Sequence, residues 1–121
     1  MTSQSKVEVG LIQMASLGEA DGNLTETIES VRVAANQGAQ VICLQELFRT
    51  PYFCQTEDSK FFELAETIPG PTTNTLSALA AELEVVLIVP LFEKRSAGIY
   101  HNTAVVIDAD GHLIGQYRKM H

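Results

Sequence analysis

Three observations make this an α/β chain with a mixed sheet. Short apolar runs rich in β-branched residues, Val41-Ile42-Cys43-Leu44 and Val85 to Leu91, alternate with segments whose apolar residues recur at helical spacing. The segment between the first two candidate strands is long enough for the helical crossover that parallel strands need. Asp110-Gly111, between the last two candidate strands, marks a tight hairpin and so antiparallel pairing. The resulting order, β-α-β-α-α-β-β-β, packs helices on at least one face of a mixed sheet.

Each element has its own signal. Val7 to Gln13 alternates and then turns apolar, which suits a first strand, and Met14 to Gly22 reads as a loop. Asn23 with Glu26 three residues on resembles a capping box, and Leu24, Ile28, Val31 and Ala35 supply the buried stripe of the helix that follows. Gly38 sits where a left-handed C-cap is wanted. Val41 to Gln45 is the second strand, read as buried on both faces. Arg49 to Asp58 has no period and reads as a loop directly after a strand end. Phe61, Leu64, Ala65 and Ile68 suggest a short helix ended by Pro69-Gly70-Pro71, after which Thr72 or Thr73 caps a helix buried through Leu76, Leu79, Ala80 and Leu83. Pro90 cannot donate to a ladder and is expected at the end of the third strand. Ile99 to Asp108 and Leu113 to Arg118 complete the sheet.

Composition narrows the function classes. The 121 residues carry 8 basic and 15 acidic side chains, a net charge of -7, with no basic stripe for a phosphate backbone. Nucleic acid is therefore not an expected partner, whereas a cationic small molecule suits the field. No apolar stretch reaches a membrane span and the first residues lack a signal-peptide core, so no membrane partner is expected and a cytoplasmic location is the plain reading. Cys43 and Cys54 lie in unlike settings and do not suggest a disulfide framework. His101, His112 and His121 lack ligand spacing, so no metal site is expected, and no motif calls for a cofactor.

What remains is an acid after one strand, Glu46, and a cation after another, Lys119, each of which alone reads more simply as a solvated residue. Five segments change that balance. Val9-Gly10-Leu11-Ile12-Gln13-Met14, Gln45-Glu46-Leu47-Phe48, Pro69-Gly70-Pro71, Tyr100-His101-Asn102-Thr103-Ala104 and Tyr117-Arg118-Lys119-Met120-His121 together resemble the carbon–nitrogen hydrolases of the nitrilase superfamily, along the whole chain. Within it, Glu46 to Gln55 is most similar to the N-carbamoylputrescine amidases of polyamine synthesis.

The resemblance implies a four-layer αββα sandwich, of which residues 1–121 form an incomplete N-terminal portion, and homo-oligomers of the full-length protein. It also implies a Glu-Lys-Cys triad, with Glu46 as general base and Lys119 at the developing oxyanion, acting on a small amide or ureido substrate without a cofactor. The family's nucleophilic Cys and a further supporting acid lie downstream of the Lys motif, so the nucleophile is not expected in this chain. Cys43 reads as a small core residue, and Cys54 as packing or pocket lining, with a nucleophilic role second. Tyr52 and Phe53 either line the substrate pocket or anchor their loop; Arg49 either orients Glu46 or is solvated. Asn102 is expected to be structural, bonding backbone near the site, and Arg118 either assists the Lys119 strand end or, as the first expectation, lies at the surface. The chain runs straight out of a strand at His121, so the domain is expected to continue. The competing readings are a non-catalytic truncated fragment that binds substrate analogues weakly or associates with an intact subunit or complementing piece, and an unrelated flavodoxin-like binding domain.

Overall fold

A computed structural model describes residues 7–12, 20–45 and 65–119. Within them the order is β1 (Val9–Leu11), α1 (Ala20–Asn36), β2 (Val41–Cys43), α2 (Pro71–Leu83), β3 (Val86–Ser96), β4 (Ile99–Ile107) and β5 (Leu113–Arg118). The five strands form one sheet in sequence order. β1, β2 and β3 run parallel, and β4 and β5 are added antiparallel to their neighbours, giving the mixed sheet that the sequence predicts.

Both helices lie on one face. Val31 of α1 and Leu76, Leu79 and Ala80 of α2 pack with Ile42, Leu44, Leu87, Val89, Val105 and Ile107 in one core cluster. Alternation along each strand leaves Val41, Cys43, Val86, Ile88, Ala104 and Val106 on the opposite face, where all are half-buried. The second strand is thus buried on its helix face only, a departure from the two-sided burial read from its apolar run. One α layer on one β layer is half of the expected αββα sandwich.

Several element ends differ from their sequence signals for local reasons. α1 begins at Ala20, so Asn23 and Glu26 lie within the helix rather than at its cap. Its C-terminus is as expected: Gly38 has φ 99°, its N–H reaches Ala35 O at 3.0 Å, and Ala39 N–H reaches Ala34 O at 3.0 Å, a complete Schellman motif. At α2, Gly70 is the N-cap and Pro71 occupies the first turn, where its missing N–H costs nothing. Thr73 caps in the reverse sense, its hydroxyl accepting Gly70 N–H at 2.6 Å and donating to Gly70 O at 3.0 Å. No helix occupies residues 65–68; Glu66 there forms an isolated parallel bridge with Glu93.

β3 runs well past Pro90, to Ser96, because its pairing with β4 continues to a turn at Ala97-Gly98, where Gly98 has φ 78°. Pro90 is tolerated mid-strand by its parity. Leu44 N–H donates to Ile88 O, Glu66 N–H to Phe92 O, and Lys94 N–H to Glu66 O, so the backbone groups of 88, 92 and 94 face away from β4. Pro90 shares that side, between Ile88, which accepts from Leu44, and Phe92, which accepts from Glu66, and breaks no bond with β4. The hairpin between β4 and β5 is closed by Gly111 (φ 91°), whose N–H donates to Asp108 O at 2.9 Å.

Candidate active site

β2, β3 and β5 share one direction, since β5 is reversed twice relative to β3. Their C-terminal ends therefore lie along one edge of the sheet, the edge where open α/β sheets bind ligands. Gln45, two residues beyond β2, is the last described residue before that edge, and Glu46 follows it in sequence. Lys119 follows the last residue of β5, is exposed, and donates its backbone N–H to Asn102 O at 2.8 Å. Asn102 pairs with Phe92, four residues beyond Ile88, which pairs with Cys43. Lys119 thus lies four residues beyond the level of Cys43, the last residue of β2. β3 and β4 separate β2 from β5, three strand spacings or about 14 Å. Glu46, Tyr52, Phe53 and Cys54, together with Arg49, lie outside the described residues.

Alternation along β5 puts Lys119 on the face of Tyr117, opposite the helices. On that face Phe92 and Tyr100 stack with ring centroids 5.6 Å apart and an interplanar angle of 25°. Asn102, the register partner of Phe92, carries a buried Oδ1 with no hydrogen-bond partner among the described residues, and His101 Nε2 on the other face is likewise buried without one. Asn102 therefore contributes to the Lys119 end through its backbone carbonyl. Cys43 is a free, half-buried thiol on the open face rather than a core residue.

The helix face of the same edge holds a polar cluster that the sequence reading missed. Glu93 is 3% exposed. Its Oε1 accepts from Arg118 Nε at 2.8 Å and from Thr103 Oγ1 at 2.8 Å, and its Oε2 from Arg118 Nη2 at 2.9 Å. Gln116 Nε2 stands 3.5 Å from Oε2. The bidentate Arg118 contact outweighs the cost of burial and holds the Glu93 carboxyl below its ordinary range, with the Thr103 hydroxyl and the charges of Arg118 and His101 adding to the effect. The same contact raises Arg118 further above its already high value. Arg118 is consequently a clamped, half-buried residue and not the surface side chain expected of it. The signal was available: Leu87, Val89, Leu91 and Glu93 share one strand face, so the core stripe runs onto an acid that needs a partner.

Glu66 extends this network toward α2. Its backbone spans Phe92 O and Lys94 N, and its carboxylate accepts from Thr72 N–H at 2.7 Å and from the Thr72 hydroxyl at the helix N-terminus.

Comparison with known proteins fits this geometry. The chain is 40% identical over 116 residues to an N-carbamoylputrescine amidase of Solanum lycopersicum, covering 95% of this chain and 38% of that protein. It is 38% identical over 114 residues to the human omega-amidase NIT2, covering 93% of this chain and 40% of that protein. A crystal structure of a carbon-nitrogen hydrolase from Helicobacter pylori G27 superposes with a TM-score of 0.89 at 41% identity, covering 95% of this chain and 40% of that one. The chain thus spans about two fifths of the length of the relatives it matches. Residues 8–121 match the carbon-nitrogen hydrolase family, and with those likenesses the chain belongs to it, as an αββα-type nitrilase-superfamily fold present in part.

Proposed function

We propose that residues 1–121 are the N-terminal part of a single hydrolase domain that cleaves the C–N bond of a small amide or ureido compound, with N-carbamoylputrescine as the leading substrate. The observation that carries this reading is the common edge: β2, after which Glu46 follows in sequence, and β5, after which Lys119 follows, run the same way. Glu46 takes the proton of a thiol lying outside these 121 residues, and the thiolate attacks the substrate carbonyl. Lys119 stabilises the oxyanion, Glu46 returns the proton to the leaving amine, and water then releases the acylated sulfur with Glu46 as base. For N-carbamoylputrescine and one water the products are putrescine, CO2 and ammonia. The net charge of -7 suits a substrate that keeps one ammonium group. Tyr52, Phe53 and Cys54 line the substrate pocket in this reading, and the complete protein is a cytoplasmic homo-oligomer. No helix among the described residues is long and apolar enough to cross a membrane.

The test is ammonia release by the complete protein from N-carbamoylputrescine and, in parallel, from an ω-amide. Steady turnover of the first is expected, with Glu46→Gln lowering kcat by about 10²–10⁴-fold. Preference for the ω-amide would overturn the substrate, and full turnover by Glu46→Gln would remove that residue from the mechanism. The 121-residue chain alone is expected to be inactive; steady turnover by it refutes an external nucleophile and directs attention to Cys54.

A further inference from the structure

We propose that the Glu93–Arg118 ion pair is a positioning device for Lys119, fixing the end of β5 so that the ammonium is presented at one place on the site edge. The inference rests on the reading of Lys119 as the oxyanion-stabilising cation.

The cluster is not what stability alone would select. A buried ion pair gains little over apolar side chains of similar volume, so its value lies in the geometry it enforces. That geometry is specific: both carboxylate oxygens engage the planar fork of Arg118, and a third donor, Thr103 Oγ1, holds the carboxylate from β4. Arg118 is the last residue of β5, and Thr103 is its register partner. Beyond it, the ladder to β4 adds the Lys119 N–H bond to Asn102 O.

Among the described residues β5 pairs with β4 alone, and Leu113, Ile114 and Tyr117 are exposed, so within residues 1–121 the Arg118 contact is what ties the side-chain layer of its end to β3. Glu93, by contrast, sits in the best-anchored part of the sheet, with His101 in register on one side and Glu66 bridged on the other. Glu66 in turn holds the N-terminus of α2 through Thr72. Arg118 and Lys119 project to opposite faces, so the clamp grips β5 from behind while leaving the site face open. Removing it lets the backbone at Lys119 move, and displacements near 1 Å at a reacting centre cost about 10²-fold in rate.

The experiment uses the complete protein and compares Lys119→Ala, Glu93→Gln, Arg118→Lys and the Glu93→Gln/Arg118→Lys double variant, measuring kcat, KM and thermal unfolding. Arg118→Lys keeps the charge and loses the fork, so it carries the test if Glu93→Gln does not fold. Expected are a severe loss in Lys119→Ala and a kcat loss of about 10²-fold in each single clamp variant, with KM within about threefold of wild type and folded protein at the assay temperature. The double variant is expected to be no worse than the poorer single, because the pair acts as one unit. A kcat within twofold of wild type in Arg118→Lys overturns the positioning role while Lys119→Ala remains impaired. Losses confined to unfolding temperature, with kcat of the folded protein unchanged, overturn it as well. Full activity in Lys119→Ala instead refutes the reading of Lys119 itself, and the inference with it.

Discussion

Gly70→Ser sets two local effects against each other, and the structure decides which is larger. Gly70 is the N-cap of α2, with φ -157°, an extended conformation open to any residue. By cap preference alone, serine there stabilises by a few tenths of a kcal/mol, about the margin by which it exceeds glycine. A Cβ at this position, however, would stand 2.3 Å from Thr67 O, a backbone atom, against the 3.0 Å below which Cβ atoms essentially never approach. At least 0.7 Å must come from the backbone at Thr67 or Gly70. The adjoining Glu66 holds two backbone bonds to β3, at 3.1 and 2.7 Å, and one to Thr72 N–H at 2.7 Å. Losing two of these at about 1 kcal/mol each, plus the strain of the residual contact, gives a cost of about 2–4 kcal/mol. Urea unfolding measures it. Gly98→Ala is the control: its φ is 78° with nothing within 4 Å, so its cost is the left-handed backbone alone, about 1 kcal/mol. A Gly70→Ser protein as stable as wild type refutes the close approach, and with it the coupling of α2 to β3 through Glu66.

Further outcomes follow from single contacts. Gly111→Ala combines φ 91° with a Cβ placed 2.8 Å from Ser77 O and 3.2 Å from Ala81 Cβ, so it should cost more than Gly98→Ala, about 2–3 kcal/mol in the same assay. Leu87→Ala empties a fully buried position between the sheet and helices and should cost about 2–5 kcal/mol. Because the folded state lowers the Glu93 carboxyl, its contribution is fully present above the unfolded value and is lost as pH falls through the folded one. Unfolding followed from neutral pH downward should therefore show a shallower acid limb for Glu93→Gln, and parallel limbs would contradict the assignment. Arg32 and Glu82 form an ion pair between α1 and α2 that is half-exposed on both sides; Arg32→Met should leave the unfolding midpoint unmoved.

The periodic elements were legible because their signals are local and redundant. α1 shows its buried stripe at Leu24, Ile28, Val31 and Ala35, and Gly38 its stop, so only the start was misjudged: Asn23 and Glu26 make a plausible cap wherever they stand. The outer half of β3 was not legible. Glu93-Lys94-Arg95 continues no apolar run past Leu91, and only the pairing with β4 over nine positions makes it strand. The cluster behind Lys119 failed to show for the same reason, since Glu93 and Arg118 are 25 residues apart and meet through register. Cys43 misled in the opposite direction, because an apolar run does not say how well each of its faces is covered. The segment after Gln45, to which Glu46, Tyr52, Phe53 and Cys54 belong, lies outside the described residues, and their roles rest on the family pattern.

The path from sequence to site edge runs through the order of strand reversals. A helical crossover keeps β1, β2 and β3 parallel, so β2 and β3 deliver their C-terminal ends to one edge. Two tight turns then follow, at Ala97-Gly98 and Asp110-Gly111, and two reversals restore the original direction. One turn fewer would send residue 119 to the far end of the sheet. The C-terminal ends of β2 and β5, after which Glu46 and Lys119 follow in sequence, are thereby turned to one edge by the order of strand reversals. The end of β5 is held through its backbone by the Lys119 N–H bond to Asn102 O, and on the helix face by the one bidentate, buried carboxylate–guanidinium pair among the described residues.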